Sequence, residues 1–417
     1  VRQKLLSPNR KAKDETSPSC CDQFAFLEPE MKVVGYVKKT EGKPLCKETV
    51  IEFPGEQILN SQVCLKEDHV DNLAGEKPNF RNVGGLYGVA QPTEKGIAQV
   101  LDRLGKTHRR VYWTNMRSEP TVFIQGESYT LRTKDNPHPQ LEYQGASREK
   151  VERFETAMKQ EILGKTRRGE PLTLCRDEES GEKCLVRFDP GSIDPREVKT
   201  TAEVFGELKT HYNLDYQRVP VNDRTRPTHR DIDFLVERYN QYDPRDAYVT
   251  NCMAGMGRTT TSMVLLNIMN HVKQSPEINF CRIPGIQEQI TGDGRGKFGR
   301  LRAVFNITRL AEKISDLVIG GRGGDDFQTI LDAQSIGKCH IREALPGSYD
   351  KDPQKGKDYL DSYLHLTFFH RYCREQAPDD FARPFSQWMK QYEKPVKLLT
   401  EILDRAFRVE NRLKKLF

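Results

Sequence analysis

A chain of 417 residues is long enough for two or three structural units and a substantial apolar core. Charged residues make up 30%, the formal net charge is +6 and the mean hydropathy is −0.72, which fits a soluble, mildly basic protein suited to an anionic partner. No uninterrupted apolar stretch approaches the roughly 18 residues of a membrane-spanning helix, and no Cys/His spacing matches a zinc site, so both classes are excluded.

Ten cysteines without a regular framework, two of them adjacent at Cys20 and Cys21, fit reduced thiols in a cytoplasmic setting. The opening Val1-Arg2-Gln3-Lys4 has neither a signal-peptide core nor an initiator methionine, the expectation for a chain that starts inside a longer or processed one. Residues 1–30 read as an extended polar lead-in, and a turn-rich β segment follows to about residue 75.

From there strand and helix signals alternate. Leu86-Tyr87-Gly88-Val89-Ala90-Gln91 reads as a strand, and Thr93 is placed to cap a helix carrying Ile97, Val100, Leu101 and Leu104. A strand over 110–117 precedes a hairpin, 121–124 and 129–132, turning at Gln125-Gly126. The spacing of Val151, Phe154, Met158 and Ile162 predicts an amphipathic helix over 147–165. Strands at 171–176 and 183–188, a helix at 201–212, a strand at 216–220 and a helix at 228–242 lead into the short β-prone run Ala247-Tyr248-Val249-Thr250. This alternation argues for an α/β fold whose sheet contains parallel pairs. After residue 300 the apolar spacing is helical, over 300–319, 325–345, 357–376 and 385–416, with Phe368, Phe369, Tyr372 and Trp388 as core aromatics.

The chemistry concentrates behind the run that ends at Thr250. Cys252-Met253-Ala254-Gly255-Met256-Gly257-Arg258 places a thiol and a guanidinium six positions apart, enough chain to wrap backbone N–H groups around a tetrahedral oxyanion. Gly255 and Gly257 allow the positive φ angles and close approach such a nest needs, and Ala254 keeps it slim. The helix expected from Arg258 to Lys273 points its N-terminus at the loop. Loop amides, helix terminus and Arg258 together favour a thiolate at Cys252, while the planar fork of Arg258 can clamp two phosphoryl oxygens. Met253, Ala254, Gly255, Met256, Gly257 and Arg258 are therefore the candidate phosphate-binding residues, and Thr259 is placed to hydrogen-bond the sulfur as it leaves. This chemistry calls for neither metal nor cofactor.

Attack by a thiolate on phosphorus also needs an acid for the leaving oxygen, carried on a separate loop. Asp223, between a strand and a helix in Asn222-Asp223-Arg224-Thr225-Arg226-Pro227, is the candidate. The alternative is that Asp223 starts a turn while Asp231 or Asp233 serves the helix. Arg224 and Arg226, with Lys297 and Arg300 on a Gly-rich basic segment, are candidate contacts for a substrate bearing several phosphates, the alternative being solvated charge.

With these residues assembled, the chain resembles the PTP-like inositol phosphatases, the PTP-like phytase and paladin group of the cysteine-dependent phosphatase superfamily. Cys252 to Thr260 is similar to the family's CxxGxGRTT loop, and Asp223-x-x-x-Pro227 resembles its general-acid loop. Asn79-Phe80-Arg81, Tyr87-Gly88-Val89-Ala90-Gln91-Pro92-Thr93 and Trp113-Thr114-Asn115-Met116-Arg117-Ser118-Glu119-Pro120 are similar to paladin-like segments. Asn251 stands where many members have His, and Arg224 and Arg226 stand where phytases often have His and Trp. The resemblance implies a mixed, partly parallel sheet flanked by helices in a phosphatase domain over 76–310; the residue patterns add an N-terminal lead-in and β-rich segment over 1–75 and a helical extension over 311–417. It further implies a two-step phosphomonoester hydrolase in which Cys252 is nucleophile, Arg258 clamp and Asp223 acid, then base. Inositol polyphosphates or phosphoinositide headgroups are the expected substrates, nucleic acid is not expected, and peripheral membrane contact is compatible with a lipid headgroup. The alternatives are a protein phosphatase and a non-catalytic relative that binds phosphorylated ligands.

Overall fold

A computed structural model describes residues 58–59, 62–68, 79–83, 85–134, 140–141, 143, 146–177, 183–223, 225–240, 243–274, 353–393 and 396–397. The chain divides into two compact units, Val1–Gly42 with Gln391–Phe417 and Lys43–Lys390, and every element named below lies in the second.

In chain order the elements are β1 (Val63–Glu67), β2 (Arg81–Val83), β3 (Leu86–Val89), α1 (Glu94–Gly105), β4 (Val111–Arg117), β5 (Thr121–Ile124) and β6 (Glu127–Thr133). They continue with α2 (Arg148–Arg167), β7 (Leu172–Asp177), β8 (Lys183–Phe188), β9 (Val198–Thr200), α3 (Thr201–Leu208), β10 (Leu214–Val221) and α4 (His229–Asn240). The described elements end with β11 (Ala247–Asn251), α5 (Gly257–Gln274), α6 (Pro353–Gln376) and α7 (Phe385–Trp388).

Local chemistry sets several of these boundaries. Thr93 caps α1, its hydroxyl accepting from Gly96 N at 2.9 Å, and Ser147 caps α2 in the same way through Lys150 N. Thr200 and Glu203 form a reciprocal capping box at α3. Gln125 (φ 54°) and Gly126 (φ 83°) are both left-handed, the backbone a two-residue hairpin requires, and β5 and β6 pair antiparallel on either side.

The strands form two sheets where the alternation of the sequence predicts parallel pairs in one. The first, in order β10-β4-β11-β3-β2, is parallel except for its β2 edge. The second, in order β8-β7-β1-β6-β5-β9, is antiparallel except where β1 meets β7. Val63–Glu67, from the N-terminal β-rich stretch, is thus hydrogen-bonded to strands that follow residue 120. Ile97, Val100, Leu101 and Leu104 of α1 join Phe205 of α3 against Val89, Trp113 and Val249 of the first sheet. Phe154, Met158 and Ile162 of α2 pack on Leu65, Val122, Leu131 and Leu174 of the second. Each such side chain contributes about 1.5–3 kcal/mol of apolar burial before entropy is counted.

On the first sheet α5 packs against β3, α6 against α5, and α7 against α4. Phe368, Phe369, Tyr372 and Trp388 are buried as expected, and Phe385 joins them, meeting Phe369 and Tyr372 edge-on and stacking on Trp388. The helices expected at 300–319 and 325–345 lie outside the described residues, and 385–416 is described only in part. No helix among the described residues is long and apolar enough to cross a membrane.

Because β3, β4, β10 and β11 run parallel, the segments that leave them emerge at one edge of the sheet: 90–93, 118–120, 222–228 and 252–256. This edge, the carboxyl end of the parallel strands, is where open α/β sheets place ligands.

Candidate active site

β11 is buried along its whole length between β3 and β4, so the residue that follows it, Cys252, is held at the centre of that edge and is itself buried. The loop behind it turns its carbonyls outward. Met253 O accepts from Gln91 N at 2.8 Å, and Ala254 O and Gly255 O accept from Asn79 Nδ2 at 3.3 and 3.2 Å. Planar trans peptides then aim the N–H groups of Ala254, Gly255 and Met256 to the opposite side of the loop. Gly255 has φ +67°, and a Cβ there would lie 2.6 Å from Ala90 N, so the loop rests directly on the backbone leaving β3. Gly257 instead opens α5 one position before Arg258, without a positive φ and with open space where a Cβ would lie, so the conformation expected of both glycines is carried by Gly255 alone. Met256 O accepts from Thr260 N at 2.9 Å.

Arg258 is buried and organises the site. Its Nη1 donates to both oxygens of Glu119, at 2.9 and 3.0 Å, and to Val221 O at 2.9 Å. Its Nη2 lies 3.4 Å from Asp223 Oδ1, on the loop leaving β10. Its Nε has no hydrogen-bond partner among the described residues. The Nε/Nη2 edge, the side of the fork that grips two oxygens, thus faces away from Glu119. Burial opposes the charge of Arg258, but Glu119, Cys252 and Asp223 outweigh it and hold the guanidinium above its ordinary range. Glu119 is buried too, and Arg258 and Arg117 outweigh that burial and hold its carboxyl below the usual range. Thr259 Oγ1 is also buried without a partner among the described residues.

A second layer of polar groups lies behind these residues. Arg117, fully buried, donates from Nη1 to Asp68 Oδ2 (2.8 Å) and to Gln91 Oε1 (3.1 Å), and from Nε to Glu119 Oε2 (3.3 Å). Asn251 Oδ1 accepts from Trp113 Nε1 at 2.9 Å, and its Nδ2 donates to Gln91 Oε1 at 3.4 Å. The residue before Cys252 is thus a neutral amide fixed by an indole. Arg218, paired with buried Glu155, also donates to the carbonyls of Arg117 and Glu119 and so secures the corner that carries Glu119.

The structure therefore gathers Cys252, Met253 to Gly257, Arg258 and Asp223 at one edge. Arg226 instead pairs with Asp361 of α6 at 2.7 Å. Arg224, Lys297 and Arg300 lie outside the described residues. Reading the sequence alone assigned no role to Glu119, Asp68, Gln91 or Asp361. Glu119 does stand in the segment quoted for its family likeness, and a carboxylate closely following a buried strand was its available signal. Among the described residues no cluster of three or more His, Cys, Asp or Glu is placed to hold a metal.

Comparison with known proteins bears out the resemblance. Residues 114–270, from β4 to α5, match the family model of the PTP-like phytases, whose description names inositol hexakisphosphate. Paladin of Gallus gallus is 28% identical over 342 residues, 75% of this chain and 36% of the relative. Paladin of Homo sapiens is 27% identical over 342 residues, covering 75% and 35%. The chain thus spans about a third of the length of these relatives. Among solved structures, the tandemly repeated PTP-like phytase of Mitsuokella multacida shares the fold with a TM-score of 0.52 and 16% identity, over 80% of this chain and 50% of that one. The PTP-like myo-inositol phosphatase of the same organism, solved with myo-inositol-(1,3,4,5)-tetrakisphosphate, gives 0.52 and 17%, over 82% and 49%.

Proposed function

We propose that this chain, a relative of the PTP-like phytases and paladins, is a cysteine-dependent phosphomonoester hydrolase acting on inositol polyphosphates or phosphoinositide headgroups. The observation that carries the reading is Arg258: Nη1 is anchored by Glu119 and Val221 O, Nε has no partner among the described residues and Nη2 meets Asp223 Oδ1 at 3.4 Å, so the Nε/Nη2 edge faces the side from which a phosphoryl group would enter beside the acid. Loop amides on the far side of the Met253, Ala254 and Gly255 carbonyls complete the cradle.

In the first step the Cys252 thiolate attacks phosphorus in line, forming an S–P bond as the P–O bond to the leaving group breaks. Asp223 delivers its proton to that departing oxygen. Arg258 and the amides hold the equatorial oxygens as charge spreads over them. In the second step Asp223, now a carboxylate, takes a proton from water as its oxygen attacks phosphorus. The S–P bond breaks, the thiolate is regenerated and inorganic phosphate leaves. Thr259 Oγ1 supplies a hydrogen bond to the departing sulfur. The family match over 114–270 and the inositol phosphate in the related structure support the substrate class.

The test is phosphate release from inositol hexakisphosphate, phosphoinositides and phosphopeptides by the full chain, with Cys252→Ser as control. Turnover of the inositol compounds, abolished in the control, is the expected result. Tight binding without turnover would leave a non-catalytic binder, and turnover of phosphopeptides alone would overturn the substrate class.

A further inference from the structure

The loop carrying Asp223 is tied down at both ends. At its start Val221 O accepts from Arg258 Nη1. At its end Arg226 Nε donates to Asp361 Oδ2 at 2.7 Å, joining the loop to a helix 135 residues further along. Thr228 then caps α4, its Oγ1 accepting from Asp231 N at 3.2 Å while its own N donates to Asp231 Oδ2 at 2.8 Å. Arg226 is the position where this chain departs from the tryptophan frequent in phytases, and here it serves as a tether.

Asp361 is itself held in place. Its Oδ1 faces His365 Nδ1 at 3.3 Å, one turn along α6. The His365 ring lies 5.5 Å from that of His229, the first residue of α4, and His229 meets Phe385 of α7 edge-on at 5.4 Å. Ser386 N donates to Asp233 Oδ1 at 2.9 Å. The helical C-terminal elements therefore grip the end of the acid loop and the first turns of the helix that follows it. Burial acts against the Asp361 carboxylate, but His365 and Arg226 outweigh it and bring its pKa down to about 2, so it is charged at neutral pH.

We infer that Asp361 is a positioning residue for proton donation: the Arg226–Asp361 pair anchors the end of the acid loop and so helps to set Asp223 beside Arg258. Asp361 acts through Arg226, its partner at 2.7 Å. The inference rests on the reading of Asp223 as the general acid. With that tether removed, the backbone around Asp223 gains freedom and Asp223 spends less time in register. An ion pair with side chains 27% and 39% exposed adds little to global stability, so its loss is expected to leave the fold intact.

The leaving group distinguishes positioning from general damage. An inositol alkoxide needs a proton as it departs, whereas p-nitrophenolate departs without one. Steady-state kinetics of the full chain with inositol hexakisphosphate and burst kinetics with p-nitrophenyl phosphate, for Asp361→Asn and Arg226→Gln, therefore test the inference. Both variants are expected to lower kcat on the inositol phosphate by about tenfold with KM unchanged, since small displacements of a catalytic group carry losses of that order. On the aryl phosphate the pre-steady-state burst of p-nitrophenol, which reports only the acid-independent first step, is expected to change in rate by less than about twofold. The charge swap Arg226→Asp with Asp361→Arg is expected to restore most of the loss. Equal losses in inositol phosphate turnover and in the p-nitrophenol burst, no loss in either, or a change confined to KM would overturn the positioning role while leaving the hydrolase reading standing. A parent chain that hydrolyses neither compound would overturn both.

Discussion

Replacing Glu119 with alanine removes the one carboxylate shared by the two buried arginines nearest the phosphate loop. Arg258 loses two hydrogen bonds, at 2.9 and 3.0 Å, and keeps only Val221 O on that nitrogen. Arg117 is less affected, because Asp68 at 2.8 Å and Gln91 at 3.1 Å still accept from it. Breaking a buried ion pair by removing one partner costs about 3–5 kcal/mol, and the retained partners put this case near the lower end, about 3 kcal/mol. Calorimetry is expected to show a fall of several degrees in Tm. Turnover is expected to fall further than stability implies, because an Arg258 displaced by about 1 Å can lose about 100-fold in rate. Glu119→Gln, which keeps the shape and one acceptor oxygen, is expected to lie between wild type and Glu119→Ala in both measurements. A Glu119→Ala protein with unchanged Tm and full turnover would refute the role given to this carboxylate.

Gly255→Ala is expected to abolish turnover while α1 and α5 stay folded, because its Cβ would meet Ala90 N at 2.6 Å on a backbone with φ +67°; activity with unchanged far-UV circular dichroism checks this. His229 and His370 are both held neutral by burial, their pKa values brought down from 6.5 to about 4, with His365 and Arg226 also acting on His229 and Arg374 on His370. The unfolded chain then binds protons more readily than the folded one between pH 6.5 and about 4. Stability is therefore expected to fall as pH drops through that window, and His229→Gln to flatten the Tm profile there; an identical profile in the variant would count against the assignment.

What the sequence disclosed follows the range of the interactions involved. The helices from Thr93 and Ser147, the hairpin at Gln125-Gly126 and the Cys252 to Arg258 loop are written in residues a few positions apart, and caps, periodicity and turn chemistry made them legible. The second sheet was not, because β1 finds its partners in β6 and β7, far along the chain, and no local pattern marks that pairing. Glu119 reaches Arg258 across 139 positions, which a one-dimensional reading cannot supply. Arg226 illustrates the same limit from the other side. As part of a basic cluster it suggested a substrate contact, while the carboxylate that engages it stands 135 positions away on α6. Asn251 was visible as a departure from the family pattern, but the tertiary partners that fix it, Trp113 and Gln91, were not.

The central claim is that phosphate passes through Cys252 before reaching water. Rapid-quench mass spectrometry of Asp223→Asn turning over p-nitrophenyl phosphate tests it most directly, since the aryl group leaves without an acid while the second step lacks its base. The account predicts a burst of p-nitrophenol and one added phosphoryl group on the peptide containing Cys252. Product formation with that peptide unmodified, or turnover surviving in Cys252→Ser, would contradict it.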